Sequence, residues 1–162
     1  MNPVQFEPIG VVRSPFQAPA GMPIQPPAAR GVQGRVVLRQ ELEAGLADIE
    51  GFSHLLLIYH LHRAPAGQLA VVPFLDQATR GIFATRAPAR PNPIGLSLVR
   101  LVRREAAILH VEDVDVLDGT PLLDIKPYVP AFDAASEVRI GWFEGRMDAL
   151  SGARADGRFS GR

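Results

Sequence analysis

Residues 94–114 read I-G-L-S-L-V-R-L-V-R-R-E-A-A-I-L-H-V-E-D-V. Apolar residues, many of them β-branched, fill two runs here, Ile94 to Arg103 and Ala107 to Val114, and the strands they predict decide the fold class. Short apolar runs of the same kind recur at Ile9 to Arg13, Arg35 to Arg39, His54 to His62, Leu69 to Phe74, Gly81 to Thr85, Leu122 to Tyr128 and Val138 to Phe143. Fifteen prolines and fifteen glycines punctuate them and leave room for one short helix, from Glu41 to Ile49. Many strands with few helices to cover their edges favour a closed barrel, because closure removes unpaired edges. The expected fold is mainly β: a single-sheet β-barrel with one or two short helices and long proline-rich loops, of which Phe16 to Arg30 is one. The barrel domain is expected over residues 1–144, and the polar, glycine-rich residues 145–162 are expected to be a disordered tail.

With 162 residues, 47% of them hydrophobic, the chain can bury a core without staples. The absence of cysteine excludes disulfides, thiolate metal sites and cysteine nucleophiles, and fits a reducing cytoplasm. No apolar run is long enough to span a bilayer, so a soluble, cytoplasmic protein is expected. Seventeen basic residues balance seventeen acidic ones, so nucleic acid would have to be bound by a local patch. Lys126 is the only lysine among those seventeen cations, which points to a position where a compact ammonium matters.

Two stretches carry chemistry. Gly81 to Ser97, G-I-F-A-T-R-A-P-A-R-P-N-P-I-G-L-S, holds Arg86 and Arg90 on a backbone stiffened by Pro88, Pro91 and Pro93. Two preorganised guanidinium forks suit a carboxylate or a phosphate, and a connector with solvated arginines is the plainer alternative. Asp115 to Pro130, D-V-L-D-G-T-P-L-L-D-I-K-P-Y-V-P, opens on a turn at Asp118-Gly119 whose N–H groups could form a small anion-binding nest. Beyond the turn, an extended chain would project Asp124, Lys126 and Tyr128 from one face. That trio reads either as an internal salt bridge beside a tyrosine or as a reactive cluster, and nearness to the arginine loop would decide it.

Other chemistries find little support. His60 and His62 share a strand face, but no third ligand stands at a suggestive spacing, so no metal is expected. Neither G-x-G-x-x-G nor G-x-x-x-x-G-K-[ST] is present, and there is no G-x-S-x-G elbow.

The segments T-R-A-P-A-R-P-N-P-I-G-L-S and D-G-T-P-L-L-D-I-K-P-Y-V-P resemble the signatures of the TsaA-like family, also called TrmO. The likeness extends to F-E-P-I-G-V-V-R-S-P-F at Phe6 to Phe16, Q-P-P at Gln25 to Pro27 and G-F-S-H-L at Gly51 to Leu55. It implies a non-Rossmann β-barrel that binds S-adenosylmethionine, usually as a homodimer. It also implies methylation at N6 of threonylcarbamoyl-adenosine in the tRNA anticodon loop, next to the anticodon. The resemblance places cofactor contacts at Gln25, Pro26, Pro27, His62, Arg63, Arg86, Leu96 and the turn Asp118, Gly119, Thr120, Pro121 and Leu122. For that reaction Asp124 is the first candidate base and Tyr128 the second, Lys126 would bind the threonyl carboxylate or a phosphate, and Arg90 and Asn92 would meet the nucleic acid. Longer bacterial members carry an additional C-terminal domain. The alternatives are therefore a methyltransferase for a smaller substrate and a non-catalytic S-adenosylmethionine-binding regulator.

Overall fold

The computed structural model describes residues 2–156 and 158–159. Its strands are β1 (Gly10–Arg13), β2 (Gln33–Leu38), β3 (His54–His60), β4 (Ala70–Val71), β5 (Arg80–Gly81), β6 (Ile94–Glu105), β7 (Ile108–Glu112) and β8 (Thr120–Pro127). Six of them close an antiparallel barrel in the order β1-β2-β7-β6-β3-β8, and β8 returns to pair with β1. The stretch 94–114 supplies β6 and β7, which pair with each other through Glu105 and Ile108.

Strict alternation sends one face of each strand inward. In β3 the buried positions are Leu55, Leu57 and Tyr59, and in β6 they are Gly95, Ser97, Val99 and Leu101. These side chains meet Val12, Val36, Leu109, Val111 and Leu122 in one continuous core. Two bulges adjust the register, one at Leu123 of β8 opposite Ile58 and Tyr59, the other at Val102 of β6. Gly95 lies opposite Tyr59, and a Cβ there would sit 2.1 Å from the Tyr59 ring, so the glycine is what lets the phenol lie across β6.

Several expected elements take other forms. The predicted strands 69–74 and 81–85 shrink to the small β4–β5 sheet, because Ile82–Ala84 is a 3₁₀ turn closed by the N–H and hydroxyl of Thr85 on the Ile82 carbonyl. The predicted strand 138–143 is absent: Glu137 (φ 56°) and Gly141 (φ 59°) break the extended run, and Gly141–Phe143 is a 3₁₀ turn. The predicted helix 41–49 is a 3₁₀ helix over Gln40–Leu46, and Asp48 (φ 65°) stops it from continuing. A four-residue α-helix, α1 (Pro130–Asp133), follows β8.

Met147–Gly152 forms a 3₁₀ helix, and Ala155 exchanges backbone hydrogen bonds with Gly21 and Met22 at 2.7 and 2.8 Å. Phe159 packs edge-on to Phe74, with centroids 5.1 Å apart. Ala155 thereby lies beside the loop of residues 16–30.

Candidate active site

The loops and the tail enclose a cavity of about 980 Å³ against the outer faces of β3 and β6. Gln25 and Pro27 reach it from the proline-rich loop, His62 and Arg63 from the segment after β3, Arg86 from the arginine loop, Leu96 from β6 and Thr120 from the start of β8. The two signature stretches therefore share one chamber. Arg86 Nη1 donates to Gln25 Oε1 at 3.1 Å, tying two loops together across 61 residues of sequence. Arg63 Nη1 donates to the Gln17 carbonyl at 3.1 Å and braces the same proline-rich loop. His62 Nδ1 stands 3.4 Å from Thr120 Oγ1. Burial first, and then the neighbouring His60 and Arg63, push the His62 imidazole below its ordinary pKa.

Other expected contacts fall elsewhere. Leu122 is fully buried and fills the barrel interior, so its side chain cannot touch a ligand in this cavity. Asp118 accepts from the Ser14 N–H at 3.0 Å and pairs with Arg13 at 3.4 Å, which fastens the turn to the end of β1. The N–H groups of Asp118, Gly119 and Thr120 donate to the carbonyls of Phe16, Val12 and Leu117, so they are spent inside the fold and form no anion nest. Gly119, at φ 77°, makes the turn possible, and it and Pro121 lie off the cavity wall. The side chain of Pro26 lies outside the described residues.

Arg90 borders the cavity, but its guanidinium is engaged: Nη1 lies 2.9 Å from the Thr85 carbonyl and 3.3 and 3.4 Å from those of Ile82 and Ala87. It stiffens the loop that presents Arg86. Asn92 is exposed and off the wall, and its carbonyl accepts from the Ile94 N–H at 2.8 Å.

Asp124 and Lys126 lie on β8, and Tyr128 follows its last residue. Asp124 and Lys126 pair at 2.7 Å with side chains 46% and 60% exposed, opposite Ile58 and Leu56 of β3. Neither they nor Tyr128 borders the cavity. Asp124 and Lys126 form a surface ion pair.

Two residues outside those expectations, Tyr59 and Asp115, also stand at the cavity, and Ser97 joins them from the barrel interior. Tyr59 Oη is 2.9 Å from Ser97 Oγ, and Ser97 Oγ donates to Asp115 Oδ1 at 2.5 Å. Asp115 and Tyr59 both line the chamber. Burial pushes the Asp115 carboxyl up to about 6, against the lowering effects of the Ser97 hydrogen bond and the Arg86 charge. Burial, then the charge of Asp115, also raises the Tyr59 phenol. The available signal was Asp115 itself, an acid between Val114 and Val116, together with a serine on the inward phase of β6. Among the described residues no group of three or more His, Cys, Asp or Glu side chains could hold a metal ion, and no helix is long and apolar enough to cross a membrane.

Comparison with known proteins places this arrangement. The chain is 56% identical over 154 residues to a probable S-adenosyl-L-methionine-binding protein of Pyrococcus abyssi, covering 95% of this chain and 84% of that one. It is 39% identical over 140 residues to a tRNA (adenine(37)-N6)-methyltransferase of Escherichia coli K12, covering 80% of this chain and 60% of the relative. The crystal structure of TrmO from Pseudomonas aeruginosa superposes with a TM-score of 0.73 at 39% identity, over 87% of this chain and 63% of that one. This chain therefore spans about three-fifths of those two longer proteins. Residues 11–134 match the model of the tRNA-methyltransferase O N-terminal domain, and the chain belongs to that family.

Proposed function

We propose that this chain is an S-adenosylmethionine-dependent methyltransferase acting on N6 of an adenine in tRNA, and that the adenine is the threonylcarbamoyl-modified one beside the anticodon. The observation that carries the reading is the Arg86–Gln25 pair, 3.1 Å apart in a deep chamber, on a chain of this family. The donor set suits S-adenosylmethionine. The Arg86 guanidinium matches the carboxylate of its amino-acid end, Gln25 offers an amide, and Pro27 and Leu96 offer apolar surface to the nucleoside. The volume also falls in the range of small-molecule sites.

When bound, the cofactor supplies an electrophilic methyl group on a sulfonium whose leaving group is a neutral thioether. Alignment and exclusion of water are then the protein's main tasks. Arg86 and Gln25 close two loops over the chamber, Arg90 holds the arginine loop in shape, and Phe159 with Phe74 closes the side beneath the tail. The family resemblance further supports a homodimer working in the cytoplasm. Sedimentation at several concentrations tests the dimer.

A second reading has its own support, because the Pyrococcus relative, of which this chain covers 84%, is named for binding alone. On that reading the chain binds S-adenosylmethionine as a regulator or acts on a smaller substrate. Titration calorimetry with S-adenosylmethionine, followed by incubation with methyl-labelled cofactor and total tRNA, separates the readings. Label in N6-methylated adenosine supports the methyltransferase. Tight binding with unlabelled tRNA supports the second reading.

A further inference from the structure

Tyr59 from β3 and Asp115 from the segment joining β7 to β8 line the chamber, and Ser97 of β6 links them from the barrel interior. Ser97 is 1% exposed and Tyr59 6%, and their hydroxyls bond to each other. Because Ser97 donates its proton to Asp115, Tyr59 must donate to Ser97, and the donor chain runs Tyr59 to Ser97 to Asp115 and ends on a carboxylate. Val114 and Val116 on either side of Asp115 are buried at 0% and 2% exposure.

An acid in such a position costs folding free energy, and packing alone would be better served by an apolar residue. No ion pair offsets that cost: the Arg86 guanidinium acts on Asp115 at longer range while donating to Gln25, and among the described residues no cation lies within salt-bridge distance of Asp115. A carboxylate held by the Ser97 hydroxyl with no ion-pair partner, on the wall of a ligand chamber, points to chemistry.

We propose that Asp115 is the proton acceptor of this site and that Ser97 and Tyr59 are the positioning residues that hold its carboxylate. The proposal rests on the methyltransferase reading. In the transfer, the N6 lone pair forms the new N–CH₃ bond while the S–CH₃ bond breaks and leaves its electron pair on sulfur. The N6 proton passes to the Asp115 carboxylate and then to water as the products leave. With its carboxyl pushed up to about 6, Asp115 is a stronger base than an exposed carboxylate and is still ionised at neutral pH. Asp124 is paired with Lys126 at 2.7 Å and stands off the chamber wall. Tyr59 and Arg86 face Asp115, while Arg30, His54, His62, Arg63, Arg90 and Asp113 border the same chamber and must be separated from it in any titration.

The test pairs a spectroscopic titration with kinetics. Carbon-13 NMR of the aspartate carboxyls in the ligand-free protein should show one signal with a midpoint near 6 that is missing in Asp115→Asn. Ser97→Ala and Tyr59→Phe should both move that midpoint upward, since the hydrogen bonds they weaken favour the ionised form. The acid limb of the single-turnover transfer rate on tRNA should follow the same midpoint in each protein. Asp115→Asn should transfer roughly 100-fold more slowly with wild-type cofactor affinity. If Asp115→Asn does not fold, the two hydroxyl variants still decide, because an acid limb that stays put while the carboxyl midpoint moves overturns the assignment. Transfer by Asp115→Asn at the wild-type rate overturns it too. If the wild-type protein binds cofactor and transfers nothing to RNA, the methyltransferase reading falls and takes this role with it.

Discussion

Ser97 Oγ and Asp115 Oδ1 lie 2.5 Å apart, joining the inner face of β6 to a carboxyl that burial raises to about 6 from an ordinary 3.8. An acid whose pKa rises on folding binds more protons in the native state, so native stability falls as pH climbs from about 4 to about 6. At 1.36 kcal/mol per unit of pKa, the cost at neutral pH is about 3 kcal/mol. Asp115→Asn keeps an acceptor for Ser97 and removes that titration. Urea unfolding of both proteins should show the variant gaining relative stability across this pH window and no further above it. The imidazole of His62, lowered mainly by burial, works in the opposite direction and is common to both proteins.

Arg86 should dominate cofactor affinity. A charge-assisted hydrogen bond to an anionic group is worth about 1.5 to 3 kcal/mol, so Arg86→Ala should weaken S-adenosylmethionine binding by about 10- to 150-fold in titration calorimetry. Gln25→Ala should produce a smaller loss, since it removes the partner of Arg86 and leaves the charge.

Arg90 braces its loop and makes no contact that would serve a phosphate. If this is its role, Arg90→Ala lowers cofactor affinity while the salt dependence of tRNA binding keeps its slope. A phosphate contact would instead reduce that slope by about one. Filter binding at several salt concentrations reads the difference.

Asp124→Asn should leave the transfer rate within a few-fold of wild type. The exposed pair with Lys126 is worth about 0 to 1 kcal/mol and stands off the chamber. Single-turnover kinetics showing a large loss would restore Asp124 as the candidate base.

Gly95→Ala should destabilise the barrel by about 1 to 3 kcal/mol, the usual cost of overpacking a core. The added methyl would meet the Tyr59 ring at 2.1 Å and displace the Tyr59 hydroxyl from Ser97. Thermal unfolding measures the first effect. A carboxyl titration of Asp115 measures the second.

The barrel was legible because alternation is a local property, and β3 and β6 write it plainly: H-L-L-L-I-Y-H buries every second residue. The segment 138–143 misled because its apolar content is that of a strand while positive φ at Glu137 and Gly141 rules out continuous extension. At the site, the residues named through the two motif stretches divide by what the backbone does between them. Arg86 and Thr120 reach the chamber, whereas Leu122 alternates into the core and Asp118 is consumed by Ser14 and Arg13. The Tyr59–Ser97–Asp115 chain joins residues 38 and 18 positions apart, and only closure of the barrel makes it.

The most direct measurement is mass spectrometry of nucleosides from tRNA incubated with this protein and deuteromethyl-labelled S-adenosylmethionine, using tRNA with and without the threonylcarbamoyl modification. The account predicts a labelled N6-methyl group on the modified adenosine beside the anticodon, and loss of that signal in Arg86→Ala at limiting cofactor. Unlabelled tRNA in the presence of saturating, bound cofactor would contradict it.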